Sequence, residues 1–407
     1  MEEVLTRKRT IFDRAAEVFE GWKDPETGAR VLCISRRGED PEGTIWQTPY
    51  HQSRCFYDGG WKVLLHAHGP KGRRHSYRKI LLDLVTGKAE DPFPPEWSVV
   101  EVVDHARTAL VLKRYEKYGQ GSTVAVWNMQ ENRPIAEMNT GDCKLGGCIL
   151  LSDGRRALVA LYQGKFYSEP VRSRMVLLEP GKEPRVLFET ENYHCNHMQG
   201  CPVDPDLFAY DRWPSPQRDV DQVIHVATLD GRIHEPVKLS PEALRPAQMW
   251  GVRDHYVWTP DGRFIVSYLF THPISIGPDF NHFTFEWYLS VIDWRTGEDL
   301  AAKYPPGRWG GHMQVTPDSR FILCCGGPGF DKLFAVNIEE LRSGWNEHVI
   351  CSYPATLSKG VNSDPFPFPF ALPDGSGVLF NAGWPGPEHG VYLAEWPESF
   401  KANGLTG

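Results

Sequence analysis

Three histidines recur at equivalent positions of a repeated sequence pattern, and their side chains suit acid–base or metal chemistry. His255 and His312 each lie six residues before the aspartate of a tight turn. When the fourth repeat is aligned on its proline instead, His197 takes the same place, five residues before Pro202. Histidine is the usual base near neutral pH and a common ligand of divalent metals. A solvated or structural role is the alternative for each histidine taken singly.

Other side chains near these histidines could bind an acidic or sugar-like ligand. Gln314 ends the second of two His-Met-Gln triplets and is a candidate substrate contact. Arg212 and Arg253 are candidates for holding a carboxylate, because a guanidinium can bind both of its oxygens. Trp309 could stack on the face of a sugar ring. Surface charge and packing between strands are the alternative roles of these residues.

An internal repeat supplies the elements that would position these residues. A tight-turn signal occurs seven times, with successive aspartates 46, 49, 51, 57, 57 and 56 residues apart. Short β-rich runs on both sides of each turn are typical of antiparallel hairpins. The repeat predicts an all-β fold, a seven-bladed β-propeller with four-stranded antiparallel blades. The turns begin at Asp58, Asp104, Asp153, Asp204, Asp261, Asp318 and Asp374.

The two ends of the chain complete each other in this arrangement. The last unit ends at residues 390–395 without a fourth strand, and residues 29–35 form a spare β-rich run before the first unit. We predict that these two runs pair and close the ring, which removes exposed sheet edges. Residues 1–407 would then be one propeller domain, with residues 1–25 as an N-terminal extension and one short amphipathic helix within residues 8–20. Two separate β-domains are the alternative.

The order of strands within a blade predicts where binding residues lie. The innermost strand comes first, so the inner strands begin at one mouth of the central channel. The connections after the second and fourth strands, on the same face, are long and irregular. Long loops on a rigid scaffold commonly carry binding residues. We therefore expect the three imidazoles to lie within a few ångströms of a common point at this mouth.

Composition narrows the classes of partner and compartment. Of the 407 residues, 44 are Lys or Arg and 52 are Asp or Glu, which gives a net charge of −8. This balance argues against nucleic-acid and anionic-membrane partners. The sequence contains no run of 18 apolar residues, so it predicts no membrane-spanning helix. Residues 1–19 lack an apolar signal core. The nine cysteines include no Cys-x-x-Cys, which predicts free thiols and a cytoplasmic location. The oligomeric state has no signal in the sequence.

Segments spread along most of the chain resemble the oligogalacturonate lyases. The Pro-Asp-Gly turns occur in many propellers, whereas the histidine-bearing inner strands and their order are more specific. The resemblance implies a cytoplasmic seven-bladed propeller that uses a bound manganese ion to cleave short pectin fragments by β-elimination. The segments that carry it are Asp24–Val31, Leu81–Gly87, Asn196–Gln199, Asp254–Gly262, Gly311–Gln314 and Phe366–Gly375.

Position by position, the resemblance implies roles for two histidines and the loss of a metal cage. His255 matches the proposed base of the family, and His312 matches one manganese ligand. The positions of the other three ligands are occupied by Ser363, Phe366 and Phe368. A phenyl ring cannot ligate a divalent ion, so the family's cage cannot be present in its usual form.

The sequence therefore predicts a carbohydrate-active lyase that cleaves a uronate-containing oligosaccharide by β-elimination, rather than an ordinary manganese-dependent oligogalacturonate lyase. His255 is the expected base. A divalent metal, manganese or another ion, would need a different cage formed from His197, His255 and His312, of which His197 and His312 are the candidate ligands. The alternative is that arginines take the place of the metal. Phe366 and Phe368 favour a substrate with an apolar face, such as a deoxy sugar. A non-catalytic sugar-binding or protein-interaction propeller is the alternative, because fold alone does not choose a function.

Overall fold

Seven antiparallel sheets are arranged as the blades of a β-propeller, as the repeat predicts. The structure is a computed structural model. It describes residues 9–36, 45–68, 78–113, 121–165, 169–214, 223–234, 249–273, 286–305, 308, 312–325, 331–352, 368–382 and 390–401.

The elements are numbered in chain order. Those up to residue 191 are α1 (Ile11–Ala15), β1 (Gly21–Lys23), β2 (Arg30–Arg36), β3 (Ile45–Gln47), β4 (Phe56–Tyr57), β5 (Lys62–His68), β6 (Arg78–Asp83), β7 (Ala89–Glu90), β8 (Ser98–Val103), β9 (Thr108–Lys113), β10 (Thr123–Asn128), β11 (Arg133–Asn139), β12 (Lys144–Leu150), β13 (Ala157–Gln163), β14 (Arg172–Leu178) and β15 (Arg185–Glu191). Those from residue 193 onward are β16 (Tyr193–Gly200), β17 (Leu207–Pro214), β18 (Val223–Thr228), β19 (Ile233–His234), β20 (Met249–Trp258), β21 (Phe264–Pro273), β22 (Glu286–Asp293), β23 (Asp299–Lys303), β24 (Gln314–Val315), β25 (Phe321–Cys325), β26 (Lys332–Asn337), a 3-10 helix (Glu340–Arg342), β27 (Glu347–Ser352), β28 (Phe370–Ala371), β29 (Gly377–Ala382), β30 (Gly390–Glu395) and α2 (Glu398–Lys401).

Blades two to six each consist of four consecutive strands, which run from β8 to β27. Blade one contains β3 to β7, and blade seven contains β28 to β30 together with β1 and β2. The predicted tight turns join the first and second strands of the blades. In blade five, the Asp261 carboxylate accepts from the Arg263 amide at 3.0 Å, and Gly262 has a φ of 67°. Glycine adopts this left-handed conformation without steric cost, which explains the Asp-Gly signal.

The ends of the chain meet in blade seven, as predicted. Strand β2 runs antiparallel to β30, with Val31 opposite Ala394 and Ser35 opposite Val391. Strand β1 adds a fifth strand beyond β2, which the sequence pattern did not predict. The ring is thus closed by backbone hydrogen bonds between its first and last parts, an arrangement that pairs strand edges instead of exposing them.

The N-terminal helix is shorter than the amphipathic pattern of residues 8–20 suggests. It is capped by Thr10, whose hydroxyl accepts from the Asp13 amide at 3.1 Å. Its residues Ile11 and Phe12 are buried against blades one and seven. The Ile11 amide also donates to Asp374, in the turn of blade seven, at 2.6 Å. These contacts attach the helix to the propeller.

The hydrophobic core lies between adjacent blades. Six clusters of buried side chains follow one another around the ring, each shared by neighbouring blades. The middle strands are covered on both faces, so β9 is buried at five of its six positions and β29 at all six. Strands covered on both faces are continuously apolar instead of alternating. This burial stabilises the scaffold by roughly 25 cal/mol per Å² of apolar surface.

The structure bears on two expectations drawn from composition. Within the described ranges, no helix is long and apolar enough to cross a bilayer. All nine cysteines are free, as predicted. Burial raises the pKa of the Cys195 thiol to about 12, and a thiol of this kind is unreactive near neutral pH. The cytoplasmic location stays a prediction.

The innermost strand of blade one is interrupted, and the interruption builds part of the site. Strands β3 and β4 both pair with β5, but at opposite ends of it. Residues 48–55, called the crossing segment below, leave the sheet and cross the channel. The Thr48 amide donates to Asn381 in blade seven at 2.8 Å, and the Gln52 amide group donates to the Tyr256 carbonyl in blade five at 2.8 Å.

Candidate active site

His197 and His255 lie in β-bulges of the innermost strands β16 and β20. The register shifts between Asn196 and Gln199 in one blade, and between Asp254 and Val257 in the next. The φ angles of the two histidines are 42° and 50°, in the left-handed region that residues other than glycine rarely adopt. A bulge redirects a side chain, and strain of this kind is common at functional sites.

The three repeat-related imidazoles converge, as the sequence register predicts. The ring centroids of His197 and His255 are 4.9 Å apart, and those of His255 and His312 are 4.5 Å apart. The rings come from three adjacent blades, four, five and six. We call these three rings, with His51 and Tyr50 of the crossing segment, the imidazole cluster. The roles of His255 as base and of the other two as metal ligands stay predictions.

Hydrogen bonds hold His197 on both sides of its ring. Its Nδ1 donates to the carboxylate of Asp211 at 2.8 Å, and its Nε2 is hydrogen-bonded to the Tyr50 hydroxyl at 3.2 Å. The Asp211 side chain has no exposed surface, and that of His197 is 12% exposed. The Tyr256 hydroxyl donates to the backbone carbonyl of His197 and so supports the bulge from the next blade.

His255 is held in the same manner, but by a tyrosine. Its Nδ1 is hydrogen-bonded to the hydroxyl of Tyr268, and the two rings are stacked with centroids 5.2 Å apart. Asp211 and Tyr268 are equivalent residues, because each lies on the second strand opposite the residue that precedes the bulged histidine. Sequence reasoning missed both partners. A signal was available, since they follow their histidines by 14 and 13 residues.

Sequence reasoning also missed Tyr50 and His51, which the crossing segment places in the cluster. The His51 ring is fully buried, with its centroid 4.8 Å from that of His312 and 5.6 Å from that of His255. Alignment on the turn aspartate selected Gln52 in the first unit. A usable signal was the His-Gln pair at 51–52, which resembles the two His-Met-Gln triplets.

Phe368 packs directly against the imidazole cluster. Its ring meets His312 edge-on with centroids 4.5 Å apart, and the Tyr50 centroid is 5.6 Å away. The residue is 4% exposed, so it lies in the wall of the site and offers little open surface. The expectation that Phe366 lines the mouth concerns a residue outside the described ranges, as does the replacement at Ser363.

The residues present do not fit the manganese cage that the resemblance implies. Phe368 brings a hydrocarbon ring, without a donor atom, next to His312. Both ring nitrogens of His197 already have hydrogen-bond partners in Asp211 and Tyr50. Among the described residues, no group of three or more His, Cys, Asp or Glu side chains is arranged to hold a metal ion. Metal ligation by His197 and His312 stays a prediction that these contacts do not favour.

The remaining sequence candidates lie around the cluster or outside the described ranges. Arg212 is on β17, next to Asp211, and donates to the Tyr210 hydroxyl at 3.2 Å. Gln314 donates to the backbone carbonyl of His51 and so links blade six to the crossing segment. Arg253 lies in β20, but its side chain is outside the described part of the structure, as is Trp309. Their contacts with a substrate stay predictions.

The second histidine of β16 is not part of the cluster. His194 is buried, and its ring meets Tyr162 edge-on with centroids 4.6 Å apart. Burial lowers the pKa of His194 to about 4, although the Asp211 charge acts in the opposite direction. His194 is therefore neutral at neutral pH. Asp211 thus interacts electrostatically with the neutral imidazole of His194 and is hydrogen-bonded to that of His197.

Comparison with known proteins gives likenesses at the level of the fold. The chain matches no protein-family model and no curated protein. A solved oligogalacturonate lyase in complex with manganese is 18% identical, with a TM-score of 0.69 over 94% of this chain and 97% of the other. An oligogalacturonate lyase from Vibrio parahaemolyticus is 17% identical, with a TM-score of 0.67 over 94% and 97% of the two chains.

A more distant likeness belongs to a protein of different chemistry. The hydrazine synthase of Kuenenia stuttgartiensis is 15% identical, with a TM-score of 0.53 over 84% of this chain and 95% of the other. The propeller therefore does not by itself define an activity. The lyase likenesses extend over more of the chain and have the higher TM-scores. The chain thus shares the seven-bladed fold of these two oligogalacturonate lyases.

Proposed function

We propose that the protein is a carbohydrate-active lyase that cleaves a uronate-containing oligosaccharide by β-elimination, with His255 as the base. Two kinds of observation support this. The fold is that of the oligogalacturonate lyases. The inner strands and the crossing segment also bring a cluster of imidazole and phenol groups to one place, and these are groups that transfer protons in general acid–base catalysis.

The placement of His255 is the observation that carries the proposal. Its backbone is held at a φ of 50° inside a bulge, and Tyr268 fixes its ring through Nδ1. A base must be oriented so that one nitrogen reaches the proton it removes. Because Nδ1 is bonded to Tyr268, we assign removal of the C5 proton of the uronate to Nε2.

Elimination also requires that negative charge be stabilised as the proton leaves. Removal of the C5 proton builds charge on the uronate carboxylate, and preorganised donors or cations lower the energy of that state. Arg253 is two residues before His255 on the same strand, and we assign the carboxylate to it. Arg212 is the second candidate. Gln314 and Trp309 are proposed to contact the neighbouring sugar.

The wall of the site favours a substrate with an apolar face. Phe368 lies beside His312 at a position where the resemblance implies a metal ligand, and the more exposed Trp213 has its ring centroid 5.9 Å from that of His197. Such rings suit the apolar face of a sugar better than a densely charged chain. We therefore expect weak action on oligogalacturonate and faster action on an oligosaccharide that alternates uronate with a deoxy or neutral sugar.

The test is formation of the unsaturated product, followed by its ultraviolet absorbance. The panel comprises oligogalacturonate, a galacturonate–rhamnose oligosaccharide and a glucuronate–xylose oligosaccharide, and in each the uronate carries a sugar on O4 that can leave. His255→Ala should lose roughly 10²-fold or more in rate, because a general base contributes about that much. His105→Ala, an exposed histidine in the turn after β8, is the matched control and should retain full activity.

Each outcome bears on one part of the proposal. Rapid cleavage of oligogalacturonate with manganese would contradict the substrate argument. Full activity of His255→Ala would contradict the assignment of His255 as the base. Binding of an oligosaccharide without product, measured by calorimetry, would favour a sugar-binding propeller. If no oligosaccharide bound, a protein-interaction propeller would be favoured instead.

A further inference from the structure

Tyr50, His197 and Asp211 form a chain of two hydrogen bonds inside the imidazole cluster. The Tyr50 hydroxyl is 3.2 Å from Nε2 of His197, and Nδ1 of His197 is 2.8 Å from the Asp211 carboxylate. An elimination needs, besides the base, a group that protonates the departing sugar oxygen. Building on the proposed function, we propose that Tyr50 is this proton donor and that His197 and Asp211 supply its proton.

The order of the three groups is that of a proton relay. A buried carboxylate fixes the orientation of an imidazole and stabilises its charge when both nitrogens carry protons, as in Ser-His-Asp triads. Asp211 has no exposed surface and His197 is mostly buried, so these two members of the hydrogen-bonded chain are shielded from water. Tyr50 is half-buried, and we assign the substrate oxygen to its end of the hydrogen-bonded chain.

The relay lies beside the proposed base. The ring centroids of Tyr50 and His255 are 5.9 Å apart. The two bonds broken in the elimination, C5–H and C4–O, involve adjacent carbons of one ring. The acid and the base must therefore be neighbours, each within hydrogen-bond reach of its own atom. The contact of the Tyr50 ring with that of His255 is the ground on which we choose the Tyr50 hydroxyl.

Protons and electrons balance over one turnover. His255 takes the C5 proton, and the electron pair of the C5–H bond forms the C4–C5 double bond. The C4–O bond breaks with its pair on the leaving oxygen. Tyr50 gives its hydroxyl proton to that oxygen and receives one from Nε2 of the His197 imidazolium. Exchange with water then removes the proton from His255 and returns one to His197 through the Tyr50 hydroxyl.

The crossing segment preorganises Tyr50. The Ser53 amide donates to the Tyr50 carbonyl at 2.8 Å, which forms a turn directly after the tyrosine. On one side Thr48 is anchored to blade seven, and on the other Gln52 is anchored to blade five. Preorganised groups need no rearrangement when the charge develops, and this is what an acid catalyst requires.

Dependence on the leaving group tests the assignment. The wild type and Tyr50→Phe are assayed on the oligosaccharide of the panel that the wild type cleaves fastest. They are also assayed on a galacturonate methyl glycoside that carries 2,4-dinitrophenoxide at C4. Dinitrophenoxide departs without a proton. Tyr50→Phe should therefore lose roughly 10²-fold or more in rate on the oligosaccharide, but less than about fivefold on the dinitrophenyl substrate.

Two further variants separate this proposal from the proposed function. His255→Ala should lose activity on both substrates, because the C5 proton is removed in either case. Tyr57→Phe, on β4 outside the cluster, should retain both. Equal losses by Tyr50→Phe on the two substrates, or its full activity on the oligosaccharide, would overturn the proton donor and leave the proposed function intact. If the wild type eliminates neither substrate, both proposals fail.

Asp211 acts through His197 and is a positioning residue. Asp211→Asn should lower kcat on the oligosaccharide with KM unchanged, and it should leave turnover of the dinitrophenyl substrate close to that of the wild type. A purely structural role would lower both rates together. Such a parallel loss, in a variant whose urea unfolding midpoint matches the wild type, would overturn the relay.

Discussion

At the scale of the residue, two histidines of strand β16 differ in their surroundings. His197 is hydrogen-bonded on both sides, whereas His194 is buried and neutral, with a pKa lowered to about 4 by burial. A histidine that is harder to protonate in the folded state than in the unfolded state makes folding depend on pH. Its contribution is complete above the unfolded pKa of 6.5 and is lost as the pH falls towards 4.

The lowered pKa of His194 predicts that protonation of this residue destabilises the folded protein at acidic pH. A shift from 6.5 to about 4 corresponds to roughly 3 kcal/mol of the free energy of unfolding. His194→Gln should therefore show a shallower loss of stability than the wild type over this pH range, measured by urea unfolding at successive pH values. His105→Gln, an exposed substitution, should retain the slope of the wild type. Identical slopes for His194→Gln and the wild type would contradict the prediction.

At the scale of the element, the crossing segment is held at its far end by an ion pair. Nε of Arg54 donates to the buried carboxylate of Glu101 in blade two at 3.0 Å. The same guanidinium donates to the Leu151 carbonyl in blade three at 3.3 Å. The segment thus joins blades on opposite sides of the channel, and its placement of Tyr50 depends on these anchors.

Removal of Arg54 should therefore destabilise the protein and disturb the site. Arg54→Met leaves the Glu101 carboxylate buried without its cation, which should lower the free energy of unfolding by about 2–3 kcal/mol. This loss is smaller than for a fully buried pair because the Arg54 side chain is 38% exposed. Urea unfolding measures this loss. The double variant Arg54→Met with Glu101→Gln should lose less than the sum of the two single variants. Strict additivity would show that the pair is not coupled.

At the scale of the whole molecule, stability depends on the pairing of the first and last parts of the chain. Strands β2 and β30 approach closely where Gly390 lies opposite Arg36, beside the backbone carbonyl of Ser35. A Cβ atom added at Gly390 would lie under 3.0 Å from the Ser35 carbonyl oxygen, closer than real contacts allow. The absence of a side chain therefore permits the closure at this point.

Gly390→Ala should weaken the closure of the ring. Forcing a methyl group against backbone costs about 1–3 kcal/mol, and hydrogen exchange should become faster in β2 and β30 than in the other blades. Gly147→Ala is the matched control, because its Cβ would meet only the Met198 methyl group at an ordinary 3.5 Å. Uniform acceleration of exchange in all blades would mean that closure is not a local weak point.

Much of the architecture was predictable because it is encoded locally. Each turn needs residues such as Asp261 and Gly262, whose conformational preferences act within four residues, so the repeat predicts the blades. The same periodicity places His197, His255 and His312 at equivalent positions of the inner strands. The pairing of residues 29–35 with 390–395 followed from counting strands, since an incomplete last blade needs one more.

The composition of the site was decided only by the tertiary structure. Tyr50 lies 147 residues from His197 in the chain, and the two meet because the crossing segment leaves blade one and spans the channel. No local pattern predicts that departure, since it is fixed by hydrogen bonds to blades two, three, five, six and seven. The sequence by itself determined the ring of blades and the equivalent positions of the three histidines in the inner strands. Closure of the ring of blades decided which residues contact these histidines, because contacts across a channel exist only when all blades are in place.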